Sequence, residues 1–408
     1  MTGRHDSHRK CVLLVGDGMG DYPLAELDGK TPLEAAHTPH MDRIAACRIG
    51  CVQTIPPGMS PGSDVANMSL LGYDPSVGLT GRAPFEAASM GIPLGTRDVA
   101  FRLNLVTLDF RSDREIVMVS NSSGEIPTPE GRAIVETLQS ELIVPGVQIH
   151  SGVAYRHLLV WEDGPLSADT IPPHDVQDQN MAEYLDPNGG DPVVDLTRLS
   201  WPILAEHPVN QARRGEGLNE ANSIWLWGQG KALKIPRFKD KFGLRGGVIS
   251  AVDLIKGIGV YAGLQPIYVE GATGYLNTNF AGKAQGALTA LEDLDFMFVH
   301  VEAPDEASHS GNIGEKIEAI EAFDDKVVGA VLKGLERFQD YRVMVASDHF
   351  TPISIKTHAI DPAPFGWATQ SELAEGRTRG VFTEAAAKAS GFRFEKGHDL
   401  MGAFLMGK

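Results

Sequence analysis

The carboxyl-terminal part of the sequence carries acidic and histidine side chains at spacings that suit a bound metal. In APDEASH, Asp305 and His309 are four residues apart, so they share one face if the segment is helical. Asp348 and His349 follow the apolar run VMVAS, and His358 comes nine residues after His349. Carboxylate oxygens and imidazole nitrogens together suit hard or borderline divalent cations. We therefore expect these five residues to form a metal centre.

An acidic residue near the amino terminus is suited to join this set. Asp17 stands in the loop GDGMGD, directly after the apolar run VLLV. The glycine spacing is not that of a dinucleotide-binding loop, and an aspartate at this position would repel a pyrophosphate. An aspartate at the end of a strand is better placed to bind a cation, although a solvated turn residue is the alternative.

A serine at a predicted helix start could supply the reactive group. Ser63 is the second residue of GSDVANMSLL, and a hydroxyl at the start of a helix faces its free N–H groups and positive end, which suits a phosphate. An ordinary N-cap serine is the alternative interpretation. Two divalent cations about 3.5–4 Å apart could remove the serine proton and bind the phosphoryl oxygens during in-line transfer.

The elements that must position these residues are typical of an α/β fold. Short apolar runs at 12–15, 294–302 and 341–349 each enter a polar loop, which predicts strands. The segment 314–338 between the last two has apolar residues at spacings of three and four, which predicts a helix. Strands joined by helices predict a mostly parallel sheet, flanked by helices, with the candidate ligands at its carboxyl edge.

The middle of the chain differs from both ends and predicts a second domain. Residues 96–239 alternate strand-like runs such as VAFRLNLVTLDF with long polar loops. We therefore expect an α+β domain inserted into a discontinuous metal-binding domain formed by residues 1–95 and 240–408.

Composition limits the possible partners. The 408 residues carry 36 basic and 53 acidic side chains, a formal charge of −17, which disfavours binding to nucleic acid or to an anionic membrane. No apolar run is long enough for a secretory signal or a membrane span. Three cysteines are too few for a disulfide framework, so we expect free thiols in the cytoplasm. The oligomeric state stays open.

With these residues the sequence resembles the alkaline phosphatase superfamily and, within it, the cofactor-independent (2,3-bisphosphoglycerate-independent) phosphoglycerate mutases of the archaeal type. The resemblance extends from residue 12 to about residue 364. The stretches that carry it include VLLVGDGMGDYPLAELDGKTPLEAAHTPHMD, SPGSDVANMSLLGYDP, TGRAPFEAASMG, GLRGGVISAVDLIKGIG, EGATGYLNTNFAGKA, VHVEAPDEASHSGN and SDHFTPISIKTHAIDPAP.

The resemblance implies a role for each candidate residue. It implies Ser63 as the nucleophile that takes the phosphoryl group from 3-phosphoglycerate or 2-phosphoglycerate and returns it to the other hydroxyl. Because water must be kept from the phosphoserine, it also implies that the inserted domain, residues 96–239, is a substrate-binding lid. It implies two divalent cations, Mn²⁺ first with Mg²⁺, Co²⁺ or Zn²⁺ as alternatives, and neither a nucleotide nor free 2,3-bisphosphoglycerate. One metal would be held by Asp17, Ser63, Asp348 and His349, and the other by Asp305, His309 and His358. Because imidazoles bind metal when neutral, activity should fall below about pH 6.5.

The substrate would be a small phosphorylated carboxylate, which needs cationic partners. Guanidinium groups bind carboxylate and phosphate bidentately, so arginines are the first candidates. For each arginine, a surface ion pair is the alternative role. The candidate substrate-binding residues are Arg102, Arg156 and Arg245, followed by His157, His174, Asp175 and Lys283.

Other functions fit the same metal-binding residues. Homoserine-kinase-like transferases of this lineage share HPVN, NSIW, VISAVDLIKGIGVYAG and GATG with this chain, and the metal centre would not distinguish their acceptor from that of a mutase. A plain phosphomonoesterase is a further alternative. A metal-stabilised binding protein without catalysis is less favoured, because it has no need for Ser63 and all six other ligands together.

Overall fold

The computed structural model describes residues 9–406, so residues 1–8 of the polar amino-terminal segment, on which part of the signal-peptide prediction depends, lie outside the described residues. The strands are β1 Arg9–Gly16, β2 Ile49–Val52, β3 Asp98–Ser112, β4 Glu115–Ser120, β5 Val147–Val153, β6 Arg156–Glu162, β7 Ser223–Gly230, β8 Gly246–Ile249, β9 Gln265–Pro266, β10 Phe296–Val301, β11 Asp340–Ser347, β12 Ala363–Thr369 and β13 Arg393–Phe394. Within this described range, no helix has the length and apolar character needed to cross a membrane.

The helices include several short ones at the ends of loops. They are α1 Pro32–Ala35, α2 Pro39–Ala45, α3 Ser63–Leu70, α4 Ala83–Ser89, α5 Thr128–Glu141, α6 Pro192–Ala205, α7 Pro208–Gly215, α8 Phe238–Phe242, α9 Asp253–Tyr261, α10 Phe280–Ala290, α11 Ala303–Ser310, α12 Ile313–Phe323, α13 Ala330–Leu335, α14 Gln370–Ala374, α15 Glu384–Ala389 and α16 Asp399–Met406. The helix predicted over 314–338 is interrupted by a π-helical stretch, Asp324–Gly329, between α12 and α13.

The chain forms two compact units. The first contains the chain up to Gly78 and from Lys234 onward, and the second contains Leu79–Leu233. The sequence predicts domain boundaries at 95/96 and 239/240, which would place α4 in the first domain. In the structure α4 belongs to the second unit. The reason is local packing, because Ala83 and Ala87 of α4 pack with Leu158 of β6 in a small apolar cluster.

The first unit is built on an eight-stranded sheet of order β13-β2-β12-β11-β1-β10-β8-β9. The pairs β1–β10, β1–β11 and β10–β8 are parallel, and β12 runs against both its neighbours. The central strand β1 is buried from Cys11 to Gly16, which explains its uninterrupted apolar sequence. The structure thus confirms the predicted mostly parallel sheet flanked by helices.

The register of the central strands aligns their carboxyl ends. Gly16, the last residue of β1, pairs with Val301 of β10 and with Ser347 of β11. The next residues in the three segments are Asp17, Glu302 and Asp348. Three acidic residues from distant parts of the sequence therefore emerge side by side at the edge where α/β sheets bind ligands.

The second unit has a five-stranded antiparallel sheet. Its long strand β3 pairs with β6 and β7 over its first part and with β4 over its second part, while β5 pairs with β6. Alternating apolar residues of β3, including Phe101, Leu103 and Leu105, pack with residues of α5 and α6. Trp225 and Trp227 of β7 join a separate cluster with Val106 and Leu108.

Candidate metal centre

The first group of candidate ligands combines α11 with the loop after β11. One turn of α11 separates Asp305 from His309 and brings Asp305 Oδ2 to 3.1 Å from His309 Nε2. His358 Nε2 lies 3.0 Å from His309 Nε2 and 3.6 Å from Asp305 Oδ1. The Nδ1 atom of His309 lies 2.9 Å from the carbonyl oxygen of Lys356, to which its N–H can donate. That contact leaves Nε2 directed at the other ligands, as metal-binding histidines require.

The second group joins the ends of β1 and β11 to the start of α3. The Nε2 atom of His349 lies 3.2 Å from Ser63 Oγ, 3.3 Å from Asp17 Oδ1 and 3.4 Å from Asp348 Oδ2. Ligand atoms of Asp17, Asp305 and His349 lie within 4.8 Å of one another, so the two groups are adjacent. The structure therefore brings all seven predicted ligands into one cluster.

The surroundings of the Asp17 carboxylate indicate whether this cluster suits a cation. Its side chain is fully buried, and among the described residues neither carboxylate oxygen accepts a well-formed hydrogen bond, although His300 Nε2 lies 3.0 Å from Oδ2. Burial raises the pKa of Asp17, and the nearby charge of Asp348 raises it further. A buried carboxylate without donors is costly unless a positive charge is bound beside it. Asp17 and its neighbours therefore fit a bound divalent cation.

The start of α3 determines where Ser63 lies. Ser63 is the first residue of the helix and Gly62 is the N-cap. The side-chain amide of Asn67 donates to the carbonyl oxygen of Ser63 and to Asp348 Oδ2, at 2.9 Å in each case. This one residue thus links the candidate nucleophile to a candidate ligand on another element, which fixes the serine at the cluster.

Two further residues adjoin the cluster and were not among the predicted ligands, the buried His300 and the half-buried Glu302. His300 of β10 has its Nδ1 atom 3.3 Å from Ser250 Oγ. Burial lowers the pKa of His300 to about 4, so its ring is neutral at pH 7. Burial raises the pKa of Glu302, which follows β10, to about 8. The sequence VHVE offered one signal, since two polar residues alternate with valines at the end of an apolar strand.

The charges of the first group compensate one another. Burial opposes ionisation of Asp305, but the close imidazoles of His309 and His358 outweigh it and hold the pKa of Asp305 well below its usual range. The hydrogen bond to Asp305 in turn raises the pKa of His309 to about 9. A cation that binds His309 would therefore have to displace its proton.

Two substrate-binding candidates lie in the first unit, at different ends of its sheet. Lys283 of α10 is fully buried and donates to the carbonyl oxygen of His300 at 3.2 Å, beside the ligand cluster. Burial lowers the pKa of Lys283 to about 8. Arg245 precedes β8 at the opposite edge of the sheet, where its guanidinium contacts the Asp293 carbonyl oxygen and lies 3.8 Å from Asp295. The structure does not bring Arg245 to the cluster.

The remaining candidates belong to the second unit, where two of them meet at Trp227. The Arg102 guanidinium lies 3.9 Å from the Trp227 ring centre and its Nε is 2.8 Å from Glu86. The His174 ring meets the same indole edge-on, at 5.4 Å between centroids. The Arg156 guanidinium lies 5.3 Å from the centre of the Tyr155 ring, and His157 Nδ1 accepts from the Gly152 N–H at 3.0 Å. The exposed carboxylate of Asp175 lies 3.7 Å from His174 Nε2.

A mostly parallel sheet with buried carboxylates and imidazoles at its carboxyl edge defines a phosphatase-like α/β enzyme domain. Two family models match the chain in agreement with this class. Residues 185–391 match the type I phosphodiesterase / nucleotide pyrophosphatase family, and residues 45–210 match the 2,3-bisphosphoglycerate-independent phosphoglycerate mutase family.

Whole-chain relatives identify the narrower family. A 2,3-bisphosphoglycerate-independent phosphoglycerate mutase of Methanosarcina barkeri is 48% identical over 405 residues, which cover 98% of this chain and 100% of the relative. A solved structure from Pyrococcus horikoshii has a TM-score of 0.80 at 30% identity, covering 98% of each chain. The cofactor-independent phosphoglycerate mutase of Thermoplasma acidophilum has a TM-score of 0.64 at 25% identity, covering 98% of this chain and 99% of that one. The chain belongs to the 2,3-bisphosphoglycerate-independent phosphoglycerate mutase family, whose enzymes are isomerases.

Proposed function

We propose that this protein interconverts 3-phosphoglycerate and 2-phosphoglycerate by way of a phosphoserine on Ser63, at a centre that holds two divalent cations. One observation carries the proposal. The Ser63 hydroxyl lies at the start of α3, 3.2 Å from His349 Nε2, within a cluster whose buried carboxylate Asp17 lacks well-formed hydrogen bonds in the described residues. Family membership supports the same reaction.

The family resemblance assigns the seven candidate ligands to two sets. Asp17, Ser63, Asp348 and His349 would hold one cation, and Asp305, His309 and His358 the other. When bound, the cations lower the pKa of the serine hydroxyl and neutralise charge on the transferring phosphoryl group. Mixed carboxylate and imidazole ligands suit Mn²⁺, and also Mg²⁺, Co²⁺ or Zn²⁺.

The chain's own residues have distinct tasks in this reaction. The Ser63 hydroxyl gives up its proton and its oxygen attacks phosphorus, while the bond between phosphorus and the glycerate oxygen breaks. The glycerate oxygen leaves with that electron pair and takes up a proton, and the reverse step returns the phosphoryl group to the other hydroxyl. The amino end of α3 stabilises the phosphoserine through its free N–H groups and dipole. Lys283, which donates to the His300 carbonyl oxygen beside the cluster, is a further cationic candidate for substrate binding.

The substrate needs cations for both its phosphate and its carboxylate. In the second unit, Arg102 is held by the Glu86 carboxylate and the Trp227 ring, so its guanidinium is ordered before substrate arrives. Arg156 and His174 are the other cationic candidates there. We propose that this unit supplies the specificity for a small phosphorylated carboxylate. The cysteines Cys11, Cys47 and Cys51 are free thiols, which suits the proposed cytoplasmic location.

An acceptor test with purified, Mn²⁺-loaded protein distinguishes the candidate functions. We expect 3-phosphoglycerate without nucleotide to yield 2-phosphoglycerate, measured by coupling to enolase. A parallel reaction with ATP and homoserine should yield no phosphohomoserine. Transfer to homoserine without isomerisation would overturn the mutase assignment and favour the kinase-like alternative. Release of free phosphate alone would indicate a phosphomonoesterase.

The affinity of the protein for Mn²⁺ should continue to rise with pH well above pH 6.5, where an ordinary histidine is already neutral. His309 is protonated below its pKa of about 9, and the cation needs its neutral ring. The raised pKa means that the Asp305–His309 contact stabilises the metal-free fold below about pH 6.5 and is lost as the pH passes about 9. Metal binding therefore releases a proton, and affinity should increase about tenfold per pH unit up to about 9.

Titration calorimetry with Mn²⁺ between pH 6 and pH 8, in buffers of different ionisation enthalpy, measures both the affinity and the number of protons released. An affinity that does not change over this range, with no proton release, would contradict the assigned role of His309.

A further inference from the structure

A buried lysine links the loops that carry the candidate metal ligands. Lys316 of α12 is fully buried in the first unit and has three acceptors for its three N–H groups. It donates to Asp21 Oδ2 at 2.8 Å, to the Thr351 carbonyl oxygen at 3.0 Å and to the Gly20 carbonyl oxygen at 3.3 Å. The ammonium group therefore has every hydrogen bond it can make.

These acceptors come from two different loops. Gly20 and Asp21 follow Asp17 in the loop after β1, while Thr351 lies two residues after His349 in the loop after β11. The two loops also contact each other directly, since the N–H of Thr351 donates to the Gly20 carbonyl oxygen at 3.1 Å. A single cation thus spans the two segments that supply the ligands of one proposed metal.

Thr351 extends the linkage to the other proposed metal. Its hydroxyl donates to Asp305 Oδ1 at 2.5 Å and lies 3.1 Å from His349 Nδ1. A shift of the Thr351 backbone would therefore move the hydrogen-bond partner of a ligand in each group. Asp21 is held as well, because its carboxylate accepts from the Ile353 N–H at 3.2 and 3.3 Å.

We propose that Lys316 is a positioning residue that fixes the loops after β1 and β11 relative to each other and so preorganises both metal sites. The inference rests on the proposed metal centre, which it deepens. It follows that loss of this cation should weaken metal binding even though Lys316 contacts none of the seven ligands. Outer partners of metal ligands typically change affinity by about 10–100-fold when removed.

The test compares a paired variant with a matched control. Lys316→Met alone would leave Asp21 as an uncompensated buried charge and is expected to impair folding. The double variant Lys316→Met/Asp21→Asn removes both charges, and Gly20 keeps its hydrogen bond from Thr351. The control is Arg342→Met. Arg342 is also a buried cation, and it donates to the carbonyl oxygens of Phe404 and Leu405. It lies near the start of β11, at the end of the strand away from Asp348 and His349.

We expect the double variant to keep its circular dichroism spectrum and to bind Mn²⁺ about 10–100-fold more weakly by calorimetry. Its turnover should be recovered by added Mn²⁺ with an unchanged KM for 3-phosphoglycerate, and the control should bind Mn²⁺ as the wild type does. A double variant that loses thermal stability but keeps wild-type Mn²⁺ affinity would overturn the inference while leaving the metal centre intact. Wild-type protein that binds no Mn²⁺ would overturn the metal centre itself.

Discussion

Replacing Ser63 with alanine is expected to lower mutase turnover by about 10⁴–10⁶-fold, the scale seen when an enzyme loses its nucleophile. The hydroxyl is the atom that would accept the phosphoryl group, and it lies 3.2 Å from His349 Nε2. Steady-state assay of 2-phosphoglycerate formation measures the loss. Acid-quenched wild-type protein incubated with substrate should carry phosphate on Ser63 by mass spectrometry, and the variant should carry none.

The other candidate ligands should still bind metal in this variant. Measuring its metal content therefore distinguishes loss of the nucleophile from loss of the folded site. Asp17, Asp348 and His349 would remain at the site that Ser63 shares. Ser60→Ala is the matched control, because Ser60 is an exposed serine three residues earlier in the chain. We expect the control to retain turnover within about twofold. Turnover that survives in Ser63→Ala at unchanged metal content would exclude Ser63 as the nucleophile.

Removing divalent cations with a chelator is expected to abolish turnover, by about 10⁴-fold or more, and to destabilise the fold. Several kcal/mol of charge neutralisation in the transition state would be lost. Asp17, Asp305 and Asp348 would be left close together and buried, with Glu302 beside them. A metal present at a thousand times its dissociation constant contributes about 4 kcal/mol, which corresponds to a fall in Tm on the order of 10 °C.

Calorimetry and activity assays of the same sample, before and after chelation and after addition of Mn²⁺, measure both effects. The Asp17→Asn variant is the control, because a neutral side chain binds the cation weakly. The Tm of this variant should therefore change less when the chelator is added. Equal Tm values for wild-type protein in chelator and in Mn²⁺ would argue against a metal centre in the fold.

Local sequence was sufficient to find candidate ligands that share an element. Asp305 and His309 are one helical turn apart, and Asp348 and His349 directly follow a strand, so spacing and polarity alone placed each pair together. The same reasoning placed Ser63 at the start of a helix. Each of these inferences depends only on the repeat of one secondary-structure element, which neighbouring residues determine.

Residues whose environment depends on distant segments were harder to predict. His300 lies within an apolar strand and would ordinarily be taken as a core residue, and the parallel pairing of β1 with β10 brings it to Asp17. Lys316 lies on a helix whose periodicity gives no sign that its ammonium group meets two loops. Arg245 was predicted to bind substrate, but the direction of β8 leaves it at the opposite edge of the sheet.

The sequence by itself therefore determined the α/β class and the family, and it supplied the candidate ligands and the candidate nucleophile Ser63. The tertiary structure decided which of these residues contact one another and how Lys316 and Thr351 connect the loops after β1 and β11. It also decided that α4 belongs with the second unit. The physical reason is that strand order and register arise from packing between segments hundreds of residues apart, as for Gly16 with Val301 and Ser347. No local repeat encodes such pairings, whereas helix and strand periodicity is written into adjacent residues.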